Sequence, residues 1–139
     1  MYSQKFLKAT AQKLSKKILK AKDNKNFFNK PYKYLYLDNV IDKNFAKNCS
    51  KSFPKLNLKS WEKSNLDSIE IKYRSKWTSE FDIPNFIIDL VRILNSSIIL
   101  KSLSKKFSIP KLMPDPYFTG GGLNITRKGG LLDVHVDGN

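Results

Sequence analysis

The segment that leaves this chain the fewest options is residues 120–139, GGGLNITRKGGLLDVHVDGN, where glycines interrupt any helix and apolar and polar side chains alternate instead. A period of two is the pattern of β-strands, in which successive side chains point to opposite faces. It predicts that Leu132, Val134 and Val136 share one face while Asp133, His135 and Asp137 share the other. His135 is the only histidine among 139 residues. An imidazole and a carboxylate on one face are two of the three ligands in the two-histidine, one-carboxylate set that holds non-haem Fe(II) and leaves positions open. The plainer reading is a solvated histidine beside an Asp137-Gly138 turn. The sequence contains no second histidine.

The wider context sharpens the pair. Four short pieces occur in order from residue 112 onward: Pro114-Asp115-Pro116-Tyr117, Gly120-Gly121-Gly122-Leu123, Gly129-Gly130-Leu131-Leu132 and His135-Val136-Asp137-Gly138-Asn139. Together they resemble the 2-oxoglutarate- and Fe(II)-dependent dioxygenases, in the prolyl-hydroxylase-like branch. Gly138 departs from the pattern, which often has an aromatic there. The resemblance implies the first strands of a double-stranded β-helix, a jelly-roll or cupin-like barrel. It implies Fe(II) bound by His135 and Asp137, 2-oxoglutarate as co-substrate, and ascorbate as an accessory. The implied reaction is hydroxylation of an unactivated C–H bond, peptidyl proline being the substrate class suggested. It implies no catalytic side chain beyond the metal ligands. Asn124 and Thr126, aligned on the polar side of the preceding strand, are candidates to line the co-substrate pocket.

In that family the distal histidine, and the cation that pairs with the far carboxylate of 2-oxoglutarate, lie on later strands. The resemblance therefore makes residues 108–139 the incomplete start of a barrel. Residues 1–107 become a helical and mixed support. The chain is then the front portion of an oxygenase, inactive alone, with a complementary C-terminal fragment as its expected partner and an unspecified protein or small molecule as substrate.

The front of the chain has a different texture. Leu7, Ala11, Leu14, Ile18 and Ala21 recur at spacings of four and three, predicting an amphipathic helix over residues 3–22 whose other face is mostly lysine. A strand is expected over residues 32–41, and Asp42 should cap a helix bearing Phe45, Ala46 and Cys49. Ile69, Ile71 and Tyr73 alternate as in a half-buried strand flanked by Trp61 and Trp77. Past Pro84, the stripe Phe86, Ile87, Leu90, Val91 and Leu94 predicts a scaffold helix, with a second helix from Ser96-Ser97 to before Pro110. Arg127-Lys128-Gly129-Gly130 between two alternating runs reads as a β-hairpin turn. The fold class expected is α+β.

Charge raises the alternative function, a small basic module for nucleic acid or an anionic surface, without catalysis. The net charge is +14, and residues 1–63 hold 16 lysines against four acids. Only three of the 26 cations are arginine, the better fork for phosphates and bases, and no nucleic-acid-binding motif is present, which argues against nucleic acid. A single cysteine excludes an intrachain disulfide and fits a reducing cytoplasm, and no apolar run approaches a membrane span.

Overall fold

A computed structural model describes residues 1–56, 59, 61–66, 69–118 and 121–135. The protein is α+β, with four α-helices and two small antiparallel sheets among the described residues. No helix among them is long and apolar enough to cross a membrane. The chain divides into two compact units, one of residues 1–53 and 84–114 and the other of residues 54–83 and 115–139.

The first unit is helical. Helix α1 (Gln4–Lys20) starts where Ser3 Oγ accepts the Phe6 amide, and it buries Leu7, Ala11, Leu14 and Ile18, the stripe expected from spacing. Helix α2 (Lys43–Lys51) starts at Asp42, whose carboxylate accepts the amides of Asn44 and Phe45 at 2.8 and 3.2 Å. Helix α3 (Ile87–Leu94) and helix α4 (Ser97–Phe107) complete the unit. Phe45 and Ile99, at 0% and 1% exposure, sit in the core with Ile93 and the α1 stripe. Ser15 and Ser102 tie α1 to α4 at 2.6 Å; because Ser102 already donates to the Ile98 carbonyl, Ser15 is the donor between them.

Helix α3 buries the expected stripe only in part: Ile87 is buried and Phe86 and Leu90 pack half-buried against the core. Its inward residues are Ile87, Ile88, Asp89 and Ile93, while Leu94 is exposed. Six of its eight residues are apolar, so periodicity alone does not select a face. The selection comes from Asp89, fully buried, whose Oδ2 accepts the Tyr2 amide at 2.7 Å. Tyr2 in turn stacks on Phe6 at 4.3 Å and meets Phe45 and Phe86 edge-on, which pins the start of the chain to α3. Burial, and then the charge of Asp89, push the Cys49 thiol up, as suits a structural cysteine whose Sγ donates to the Phe86 carbonyl.

The strand expected over residues 32–41 shrinks to a two-residue pairing. Strand β1 (Phe27–Phe28) pairs antiparallel with β2 (Tyr34–Leu35). The chain then leaves the ribbon at Asp38 and Asn39, whose carbonyls accept Lys17 Nζ; Asn39 is left-handed with φ 52°. Phe27 points inward, edge-on to Phe107 at 5.2 Å with Lys106 Nζ 4.4 Å from its ring centroid.

The second unit is a sheet. Strand β3 (Trp61–Leu66) and strand β4 (Glu70–Ser75) pair antiparallel with Trp61 opposite Ser75 and Leu66 opposite Glu70. Trp61 is buried and its indole donates to the Lys55 carbonyl at 3.1 Å. Strands β5 (Asn124–Ile125) and β6 (Leu131–Leu132) both pair with the other edge of β4.

That last arrangement corrects the expected hairpin. β5 and β6 do not pair with each other; they follow one another along β4, with Tyr73 opposite Ile125 and Ile71 opposite Leu131. Between them the chain leaves the ladder in a tight turn, closed by the Gly130 amide donating to the Arg127 carbonyl at 2.7 Å. The β4 edge offers both segments a longer ladder than they could make with each other: the Ser75 amide donates to the Leu123 carbonyl and the Asp133 amide to the Ile69 carbonyl, at 2.9 and 2.7 Å. Two glycines make the excursion possible. Gly129 has φ +82°, and a Cβ on Gly130 would lie 2.6 Å from the Thr126 methyl and 2.8 Å from the carbonyl oxygens of Arg127 and Ile71.

Candidate functional site

The tail of the sheet unit carries the residues singled out by sequence. β6 ends at Leu132 and a bend follows at Val134, so the alternation that was expected through residue 136 stops earlier in the described residues. Leu132 and Val134, expected on a shared apolar face, are 56% and 97% exposed. His135 is exposed, and its Nδ1 lies 2.7 Å from the Asp133 carbonyl oxygen. A carbonyl only accepts, so this bond places a proton on Nδ1 and leaves ligand chemistry to Nε2. Asp137 lies outside the described residues.

A histidine whose other nitrogen donates to a backbone carbonyl is held as metal-bound histidines usually are. His135 therefore fits one ligand position. The described residues supply no more than that, since among them no group of three His, Cys, Asp or Glu side chains converges.

The register sorts the remaining candidates. Asn124 pairs with Arg74 and Leu132 with Glu70, so these four share one face of the sheet. Ile125 and Leu131, opposite Tyr73 and Ile71, share the other face, and Asp133 falls on that side with them. Asn124 thus sits on the face opposite Asp133. Thr126 is past the end of β5, its methyl packed where the backbone of Gly130 passes. The structure does not bring Asn124 and Thr126 together with His135 on one strand face.

It gathers a different set. A cavity of about 280 Å³ is lined by Lys63, Ile71, Tyr73, Arg127, Lys128, Gly129 and Gly130. Lys63 faces Tyr73 across the β3–β4 ladder, and the glycine turn carries Arg127 and Lys128 to the same place. Among the described residues, three cations, a phenol and no carboxylate line it, which suits a small anion. Arg127 stands out in sequence only as part of a glycine turn, and nothing local links it to Lys63, which lies more than sixty residues earlier and reaches the site through β4.

Near the same end of β4, the Glu70 carboxyl is held below the usual range by its hydrogen bond with Lys72 at 2.5 Å, then by Ser64, and least by the charge of His135. On the opposite face of the strand Glu70 is therefore already committed as an acceptor for Lys72 and Ser64. Comparison with protein-family models, curated proteins and solved structures finds no match to this chain.

Proposed function

We propose that this chain carries part of the centre of a 2-oxoglutarate- and Fe(II)-dependent dioxygenase, with His135 and Asp137 as two metal ligands. When bound, the iron supplies O2-driven hydroxylation of a C–H bond, and the resemblance names peptidyl proline as the substrate class. The observation that supports the reading is a cation-lined cavity between β4 and the glycine turn, in the same unit as His135. The four motifs contribute the rest.

Each group has a distinct task. The Asp133 carbonyl fixes the imidazole tautomer, so that Nε2 is the nitrogen whose lone pair could meet a metal. Lys63, Arg127 and Lys128 neutralise a dicarboxylate, Tyr73 supplies a hydroxyl donor, and the glycines let the turn approach β4 closely enough to close the cavity. Such a site favours an acid with two carboxylates over a monoacid, because two or more cations gain from a second charge.

The test is titration of the full chain with Mn(II) and with 2-oxoglutarate, followed by Mn(II) spin resonance and by ligand-detected magnetic resonance. With two protein ligands, Mn(II) binding is expected to be weaker than micromolar and to vanish in His135→Ala. Binding of 2-oxoglutarate should fall at least tenfold in Arg127→Ala and in Lys63→Ala, about the loss expected for one charge-assisted contact. Mn(II) affinity unchanged in His135→Ala would sink the metal assignment. Loss of the dicarboxylate in neither cation variant would sink the cavity assignment.

A further inference from the structure

We propose that the outer face of the β1–β2 ribbon, in the helical unit, is a stacking platform for single-stranded nucleic acid. Tyr32, Tyr34 and Tyr36 recur at strand spacing among lysines, a pattern that usually forms one side of a sheet. The structure leaves those rings uncovered. Phe27 turns into the core, and Phe28, its neighbour, turns out to join Tyr34 of β2 and Tyr36 just beyond it. Phe28 stacks on Tyr34 at 4.8 Å with 10° between ring planes, and lies 6.2 Å from Tyr36 at 16°. Tyr32 flanks Tyr34 at 5.9 Å with its plane tilted by 60°. The result is a column of three near-parallel rings, Tyr36, Phe28 and Tyr34, with Tyr32 inclined at one end; Tyr32 and Tyr36 are 71% and 49% exposed. A base can extend such a column as the next flat ring.

Charge supports the same occupant. Residues 20–36 bear exposed Lys20, Lys22, Lys25, Lys30 and Lys33 against the single carboxylate Asp23. More broadly, the helical unit contains eighteen Lys and Arg against four acids, whereas the sheet unit contains eight of each. The whole net charge of +14 thus belongs to the helical unit. A general drift of composition towards lysine would have raised the balance of both.

A lipid surface is the weaker candidate for the same charge. A basic amphipathic helix docks on membranes by its apolar side, and the apolar side of α1 is buried in the core of its own unit. Single strands are favoured over duplex because paired bases are already stacked and closed to an exposed ring. The ribbon segment has no arginine to read base edges in pairs, so the binding is tolerant of sequence and dependent on salt.

The test uses the full chain and short labelled oligothymidylate and oligouridylate, read by fluorescence anisotropy at about 50 and 200 mM salt. A duplex of the same length and vesicles of phosphatidylglycerol in phosphatidylcholine serve as competitors. Expected are tighter binding to single strands than to duplex, weakening with salt, and a loss of about tenfold or more in the double variant Tyr32→Leu, Tyr36→Leu. The variant Tyr32→Phe, Tyr36→Phe keeps both rings and should keep the affinity. Circular dichroism confirms that either variant folds, as the exposure of these rings predicts. Absence of binding at low salt, binding indifferent to the leucine variant, equal loss in the phenylalanine variant, or tighter binding to vesicles would each overturn the proposal.

Discussion

The two units spend their apolar residues differently. Eleven of the thirteen buried hydrophobic residues among those described belong to the helical unit, and only Trp61 and Ile83 belong to the sheet unit. Both units expose large apolar residues, Ile69, Phe81, Tyr117, Leu131, Leu132 and Val134 in the sheet unit and Leu19, Tyr32, Leu94 and Met113 among others in the helical one, so the difference lies in what is buried. Helices close a core locally, since each apolar stripe needs one partner; a strand needs a covered face as well as a paired edge. The helical unit is therefore held by packing and the sheet unit mainly by its ladder and its turns. That contrast also separates charge, with the packed unit carrying the positive excess and the sheet unit balanced.

The contrast can be broken or sharpened by substitution. The largest effect is expected for Phe45→Ala, which removes the most buried ring of the helical unit and should cost about 3–5 kcal/mol in urea unfolding followed by exchange of α1 amides. A loss below about 1 kcal/mol would show that packing is not what holds that unit. Next is Gly130→Ala in the sheet unit. Its new methyl meets two carbonyl oxygens and the Thr126 methyl, so β6 should lose about 1–3 kcal/mol and the Asp133 amide its protection. Unchanged exchange at Asp133 would mean that the ladder survives without the close approach.

The smallest effect concerns pH. The Asp82 carboxylate accepts the amides of Thr78 and Ser79 and the Thr78 hydroxyl at 2.8–3.1 Å, and these bonds, led by the Thr78 amide, hold it below the usual aspartate range. A depressed folded value adds stability above the unfolded value and loses it as pH falls through the folded one. Protection of the Thr78 and Ser79 amides should therefore decline below about pH 4, and Asp82→Asn should flatten that dependence. The same decline in the asparagine variant would assign it to some other carboxylate.

Much of the helical unit was legible because its signals are local. The spacing of Leu7, Ala11, Leu14 and Ile18, the cap at Asp42, and Ser96, whose Oγ accepts the Ile99 amide, each act within a few residues. The face of α3 was not legible, because it depends on Asp89 accepting the backbone amide of Tyr2, 87 positions away. Nor was the partner of the tail. Alternation identified strand-forming residues near Ile125 and Leu131, but pairing is a choice among edges, and β4 came from a stretch whose own alternation gave no hint of its second neighbour. The candidate site divides in the same way. His135 was visible as the lone histidine, whereas the cluster of Lys63, Tyr73 and Arg127 exists only once β4 is in place.

The turn between β5 and β6 has a consequence for how the tail can vary. Register along β4 slips by four residues across it, since the paired positions add to 198 on one side and 202 on the other. Four is even, so Ile125 and Leu131 emerge on the same face despite the interruption. Lengthening or shortening the turn by two residues would preserve that handedness. A change of one would turn everything downstream over, exchanging the side of Asp133 for that of Leu132. The turn is thus a place where length can change only in even steps without turning over the segment that carries the histidine.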